Sequence, residues 1–257
     1  MAGEVLTERD GAVLTITFNR PGAYNAFTPA VHAELRAALE AAADPSVRCV
    51  VVTGTGKAFC AGQDLRDFDE ISVGVSDALE RNYHPNLRLV RGLEKPVIAA
   101  VNGAAAGAGL SFAMACDVRI ASDAASFIPG FVGIGLVPDA GGTWFLHRAL
   151  GFARAFEWMS SNRRLTAAEA LDWGLVSEIV PAERFAERVA EVAEVWAARP
   201  TVAIARTKRL FEHAHDVGLE EQLALEAALQ QEAVGTADFR EGLSAFLQKR
   251  TPRFTGA

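Results

Sequence analysis

"KPVIAAVNGAAAGAGLSFAMACDVRIAS", residues 95–122, decides how this chain is organised. Residues 95–103 form a short, almost wholly apolar run, as in a strand buried on both faces. A turn of alanine and glycine follows and leads into a helix, so that 104–115 reads as a small-residue turn and a helix apolar on all sides. Residues 116–122 return to strand. A strand, a tight turn, a buried helix and a second strand in that order make the repeating unit of an α/β core.

The same alternation extends outward. "VLTITFNRP" (13–21) alternates and is rich in β-branched residues, which predicts a strand. Thr28-Pro29 predicts a helix start, with the helix running to about residue 43. "CVVVTG" (49–54) reads as a buried strand, and "GTGKAFCAGQDL" (54–65) as a loop holding three glycines. Residues 66–76 are polar and aperiodic, and are expected to be mobile; a helix follows to about Leu93. In "LTAAEALDWGLVSEIV" (165–180), Thr166 and Glu169 have capping-box spacing, Gly174 stops the helix, and a strand follows. From Pro181 onward only helices are expected, at about 181–198, 201–214, 219–234 and 238–249. The change near residue 181 is the one domain-like boundary.

The composition is globular: half of the 257 residues are hydrophobic and 22% are charged. A net charge of −7 with no basic arm or stripe argues against nucleic acid as a partner. No apolar run approaches the roughly 18 residues of a membrane span, and "MAGEVLTERDG" has no signal-peptide character, so a cytoplasmic protein is expected. The three cysteines, Cys49, Cys60 and Cys116, lie in or beside apolar runs and read as buried structural thiols. Five histidines lack metal-ligand spacing and read as surface residues. The P-loop, dinucleotide and nucleophile-elbow patterns all fail, and nothing calls for a metal, flavin or nicotinamide.

Three small-residue turns stand out: "CAGQDL" (60–65), "GAAAGAGL" (103–110) and "PDAGG" (138–142). Such turns let a ligand approach the backbone, and helix N-termini offer free N–H groups. The same small residues also permit tight helix–sheet packing, and periodicity alone does not choose between the two. Asp139, ahead of Gly141-Gly142, has two readings as well: a helix cap, or an acid/base group.

"FNRPGAYNAF" (18–27), "GKAFCAGQDL" (56–65), residues 95–122, "GLVPDAGGT" (135–143) and "REGLSAFLQKR" (240–250) together resemble the crotonase, or enoyl-CoA hydratase/isomerase, superfamily. The resemblance covers nearly the whole chain. It implies an α/β fold: a crotonase-like spiral of β-β-α turns over 1–195 that binds acyl-CoA, then a helical C-terminal trimerisation region over 196–257. It implies an acyl-CoA thioester substrate, no cofactor beyond the coenzyme A carried by that substrate, and a homotrimer or dimer of trimers.

Carried over by position, the resemblance implies backbone N–H groups of Gln63 and Ala108 as oxyanion donors. Typical hydratases of the family carry two glutamates, at the positions of Ser111 and Phe131 here. Ser111 can orient water but is no base near neutral pH, and Phe131 does neither. Asp139 matches the acid/base position of several family isomerases. The blocks around 60–65, 127–144 and 237–256 are similar to the branch that isomerises 1,2-epoxyphenylacetyl-CoA in phenylacetate breakdown. Ala61, Asp64 and Leu65 belong to a loop that the resemblance places around coenzyme A, with Arg20 near its phosphates; Phe246 and Lys249 would reach the coenzyme A of a neighbouring subunit. Arg20 also reads as a surface residue, and Lys249 as a helix-end cation. The expectation is an acyl-CoA isomerase using Asp139, with an enoyl-CoA hydratase as the alternative and a non-catalytic acyl-CoA-binding member as a third.

Overall fold

A computed structural model describes residues 3–66 and 74–257. Ten strands among these residues form two sheets. The larger has the order β1 (Val5–Asp10), β2 (Val13–Phe18), β3 (Cys49–Gly54), β5 (Val97–Val101), β7 (Val118–Ser122), β10 (Glu178–Val180). Apart from the antiparallel β1–β2 hairpin, its pairings are parallel, with Val50 opposite Val97 and Ile98 opposite Val118. The smaller has the order β4 (Ala58–Cys60), β6 (Ala104–Ala106), β8 (Ser126–Ile128), β9 (Leu165–Thr166). Strands 3 to 8 alternate between the sheets, so each turn of chain adds one strand to each. That is a spiral of β-β-α turns.

The apolar strands are explained by burial on both faces. Val50, Val52, Val97, Ala99 and Val101 enter one core cluster, whereas Cys49, Val51, Ile98 and Ala100 enter a second. With a side-chain period of two, a strand covered on both faces has no polar positions to show. The first cluster lies against α1 (Pro29–Ala41) and α3 (Ala108–Ala115), every residue of which is buried. The second is closed by Phe185, Val189, Ala193 and Ala197 of α7 (Phe185–Ala197).

Thr28 caps α1 by accepting from the Val31 N–H at 3.2 Å, with Pro29 in the first turn. The capping box of α6 (Ala167–Asp172) forms through Thr166 and Glu169. The remaining helices are α2 (His84–Gly92), α4 (Gly142–Leu150), α5 (Phe152–Ser161), α8 (Thr201–His213), α9 (Leu219–Val234) and α10 (Ala237–Gln248). A wide π-type turn over Leu79–Tyr83 leads into α2.

The fold differs from the sequence expectation in places. The loop expected at 54–65 contains β4, and the turn expected at 104–107 contains β6. Position 195 lies inside α7, so a division between 195 and 196 cuts a helix packed on the core. Most of the segment expected to be mobile, 67–73, lies outside the described residues.

Candidate active site

The site lies where β4, β6 and the start of α3 come together. A cavity there is lined by Ala61, Gln63, Leu65, Ala108, Phe131 and Asp139. His32, Leu79 and Tyr83 also line it, with Ile134 and Leu136 adding apolar surface.

Only glycines let the backbones approach this closely. A Cβ at Gly109 would stand 2.2 Å from the Cys60 carbonyl oxygen. One at Gly62, which has φ +84°, would stand 2.9 Å from the Ala106 carbonyl and 3.1 Å from the Ala108 nitrogen. The residue before Gln63 is therefore pressed against the first turn of α3. The Phe27 N–H donates to the Gly62 carbonyl at 2.7 Å, and the Asp64 N–H to the Phe27 carbonyl at 2.9 Å. That bridge leaves the Gln63 N–H outside the ladder. Ala108 is the first residue of α3, a position whose N–H has no intrahelical acceptor. Among the described residues, neither N–H meets a backbone carbonyl. The Gln63 side chain is tied by the Tyr83 hydroxyl, which donates to its Oε1 at 2.5 Å.

Asp139 faces the cavity from the turn before α4. Its carbonyl accepts from the Ser111 hydroxyl at 3.0 Å and from the Gly142 N–H at 2.9 Å, so the turn is held through the backbone. Oδ1 is buried with no hydrogen-bond partner among the described residues, and burial pushes the carboxyl up to about 6. Asp139 does not cap the helix: Gly141 occupies the cap position, with no side-chain bond. The Ser111 hydroxyl proton goes to backbone carbonyls rather than into the cavity. Phe131, at one of the two positions where the family resemblance expects a glutamate in hydratases, closes part of the cavity wall.

Some of the residues expected around coenzyme A do not line this cavity. Arg20 is directed inward: its Nη2 pairs with Asp64 at 3.1 Å, its Nε with Glu4 at 3.2 Å, and its Nη1 donates to the Ala26 carbonyl. It is therefore no free surface residue, and its guanidinium is committed within the fold. Asp64 is buried, and Arg66 together with Arg20 holds its carboxyl well below the usual carboxylate range. Ala61 and Leu65 line the cavity, but Asp64 and Arg20 do not. Phe246 is 80% exposed on α10, and Lys249 ends that helix in a left-handed conformation; neither lines the cavity of this protomer. The cysteines are buried and free, and burial pushes each thiol up to about 12.

His32 corrects the surface reading of the histidines, since it is 3% exposed and lines the cavity. Its spacing from Leu35 and Leu39 is the signal that places it on the buried face of α1. Tyr83 also escapes sequence reasoning, because the aperiodic segment before it gives no frame for its direction.

Comparison with known proteins agrees with this architecture. Residues 8–257 match the family described as Enoyl-CoA hydratase/isomerase, and the chain belongs to that family. The 1,2-epoxyphenylacetyl-CoA isomerase of Escherichia coli is 41% identical over 257 residues, covering 98% of each chain. A Rhodobacter capsulatus protein described as "Probable enoyl-CoA hydratase" is 45% identical over 241 residues, 94% of this chain and 93% of that one. Among solved structures, an enoyl-CoA hydratase from Polaromonas sp. JS666 superposes with a TM-score of 0.92 at 35% identity, covering 98% of this chain and all of that one.

Proposed function

We propose that the protein is an acyl-CoA isomerase that moves a proton with one carboxylate, Asp139. The observation carrying this reading is the environment of that group. Among the described residues lining the cavity it is the sole carboxylate, it is desolvated, and it shares the cavity with the N–H groups of Gln63 and Ala108. In this reading the thioester oxygen sits between those donors. Polarisation acidifies the adjacent C–H, Asp139 removes the proton, and the charge of the enolate rests on the oxygen they hold. The same carboxyl returns the proton at another carbon, so the double bond moves and no water is added. A base poised near 6 suits both halves of that transfer. The 1,2-epoxyphenylacetyl-CoA isomerase relative supports this substrate class, with the enoyl-CoA thioesters beside it.

Hydration is the second reading, favoured by the relatives described as hydratases. It needs one group to activate water and one to deliver a proton. Ser111, the second candidate, spends its proton on the Asp139 carbonyl, which favours isomerisation. The reaction in either form uses no cofactor apart from substrate coenzyme A. The exposed apolar residues of α9 and α10 support a homotrimer or dimer of trimers, in which Phe246 and Lys249 face a neighbour's substrate.

The test is mass spectrometry in heavy-oxygen water with a 3-enoyl-CoA, a 2-enoyl-CoA and epoxyphenylacetyl-CoA. An isomerised product of unchanged mass and no solvent label is expected; a product heavier by one labelled water identifies a hydratase. Asp139→Asn is expected to lower turnover about 100-fold to 10,000-fold while coenzyme A ester binding persists. Unchanged turnover would remove Asp139 from the reaction, and absence of turnover in the unmodified protein would point to a binding protein.

A further inference from the structure

Among the described residues, two buried side-chain atoms that lack a hydrogen-bond partner belong to this one cavity. One is the Asp139 Oδ1 already assigned; the other is His32 Nε2. Buried polar atoms without partners are rare in folded proteins, because each costs the desolvation of the group with nothing returned.

The protonation of the ring follows from its neighbours. The Asn86 Oδ1 accepts from Arg36 Nε at 3.3 Å, so the amide nitrogen is the atom turned to the histidine. It lies 3.2 Å from His32 Nδ1 and 3.1 Å from the His32 carbonyl oxygen. Nδ1 therefore accepts, and the ring proton is on Nε2. Burial, with Arg36 adding to it, pushes the imidazole down to about 4, so the ring is neutral at physiological pH. The ring is also fixed in direction. It stacks on Phe27 at 4.8 Å and meets the edge of Tyr83 at 4.1 Å. The result is a neutral N–H donor without a partner among the described residues, on a side chain that lines an apolar pocket and is held in place by its neighbours.

We propose that His32 is a specificity-determining residue of the acyl pocket, donating from Nε2 to an uncharged oxygen on the acyl group. This rests on the acyl-CoA reading of the site. The preferred substrate class is then an acyl-CoA thioester whose acyl part carries an ether-type, epoxide or carbonyl oxygen, over one with a bare hydrocarbon chain. Such an oxygen satisfies the donor, whereas a hydrocarbon leaves it unpaired. Sites built to hydrogen-bond a polar group discriminate against analogues lacking it far more strongly than apolar pockets discriminate by size.

The experiment compares isosteric ligands that differ in one atom. Calorimetric binding at pH 8 uses 2-methoxy- and 3-methoxyphenylacetyl-CoA, each beside its ethyl counterpart. The unmodified protein is expected to prefer at least one methoxy ligand by roughly tenfold to a hundredfold. His32→Phe, which keeps the ring stacking, is expected to erase the preference. Asn86→Asp offers Nδ1 only an acceptor, which moves the ring proton to Nδ1 and makes Nε2 an acceptor. In that variant the methoxy preference is expected to vanish, while a hydroxyphenylacetyl-CoA, which can donate, still binds better than its ethyl counterpart. A packing role would not produce that reversal, and this variant carries the test if His32→Phe does not fold. Binding without a methoxy preference, or a preference that survives both substitutions, overturns the role of His32 and leaves the acyl-CoA reading intact. Failure of every ester to bind overturns the acyl-CoA reading itself.

Discussion

The burial that would make Asp139 a useful base is also a cost to the fold. Its carboxyl is pushed up to about 6 by burial, above the ordinary 3.8, so the folded chain holds the proton more tightly than the unfolded chain. The sign follows: the stability contributed by the protonated group is complete below about pH 4 and lost as pH rises through 6. Asp139→Asn is therefore expected to stabilise the protein at pH 8 by up to about 3 kcal/mol and to change little at pH 4, as thermal unfolding at both pH values would show. Catalysis has the matching profile. If the deprotonated carboxyl takes the proton, kcat/KM is expected to rise through about pH 6 as a single ionisation, and a flat profile across pH 5–7 would contradict that role. At the donor positions side chains say little, since backbone N–H groups do the proposed work. Ala108 opens a helix, where proline is tolerated, so Ala108→Pro is expected to remove one donor with a modest loss of stability and about a 100-fold to 1,000-fold loss of kcat. Asp139, Gln63 and Ala108 are named from the sequence by their positions in the family's motifs, and the structure brings all three to one cavity. His32 is not named in this way, because a lone histidine carries no motif and its role depends on Asn86, 54 positions away.

Elements were legible where length came with a hydrophobic pattern or a cap. The helix at α1 announces itself through Thr28 and Pro29, and β3 and β5 of the larger sheet through continuous apolar runs, whereas the polar β1 gives no such signal. The smaller sheet is different. Its strands have two or three residues each, too few to show a period of two, and Ala104–Ala106 has no β-forming side chain at all. They are strands because the larger sheet delivers them side by side. Two predictions belong at this scale. Thr28→Ala removes the cap and the bond from its hydroxyl to Glu4, and is expected to cost about 1–2 kcal/mol by denaturant unfolding. Gly109→Ala improves helix propensity by about 1 kcal/mol, yet puts a Cβ 2.2 Å from the Cys60 carbonyl. The clash should prevail, giving net destabilisation and loss of activity; a more stable variant would mean that the contact relaxes.

At the scale of the molecule, α9 and α10 leave Leu219, Leu247 and Phe246 at 70% exposure or more, an arrangement suited to burial against other copies. Sedimentation is expected to find a multiple of three 27.4 kDa chains, and Phe246→Glu to shift the distribution toward smaller species. The two sheets carry another consequence. Their strands are dealt alternately along the chain, so neither sheet is the property of any continuous segment. A scissile site anywhere between β4 and β8 leaves both pieces holding fragments of both sheets. Neither piece is then a miniature of the whole, and the two halves of a split protein would have to find each other before either could take shape.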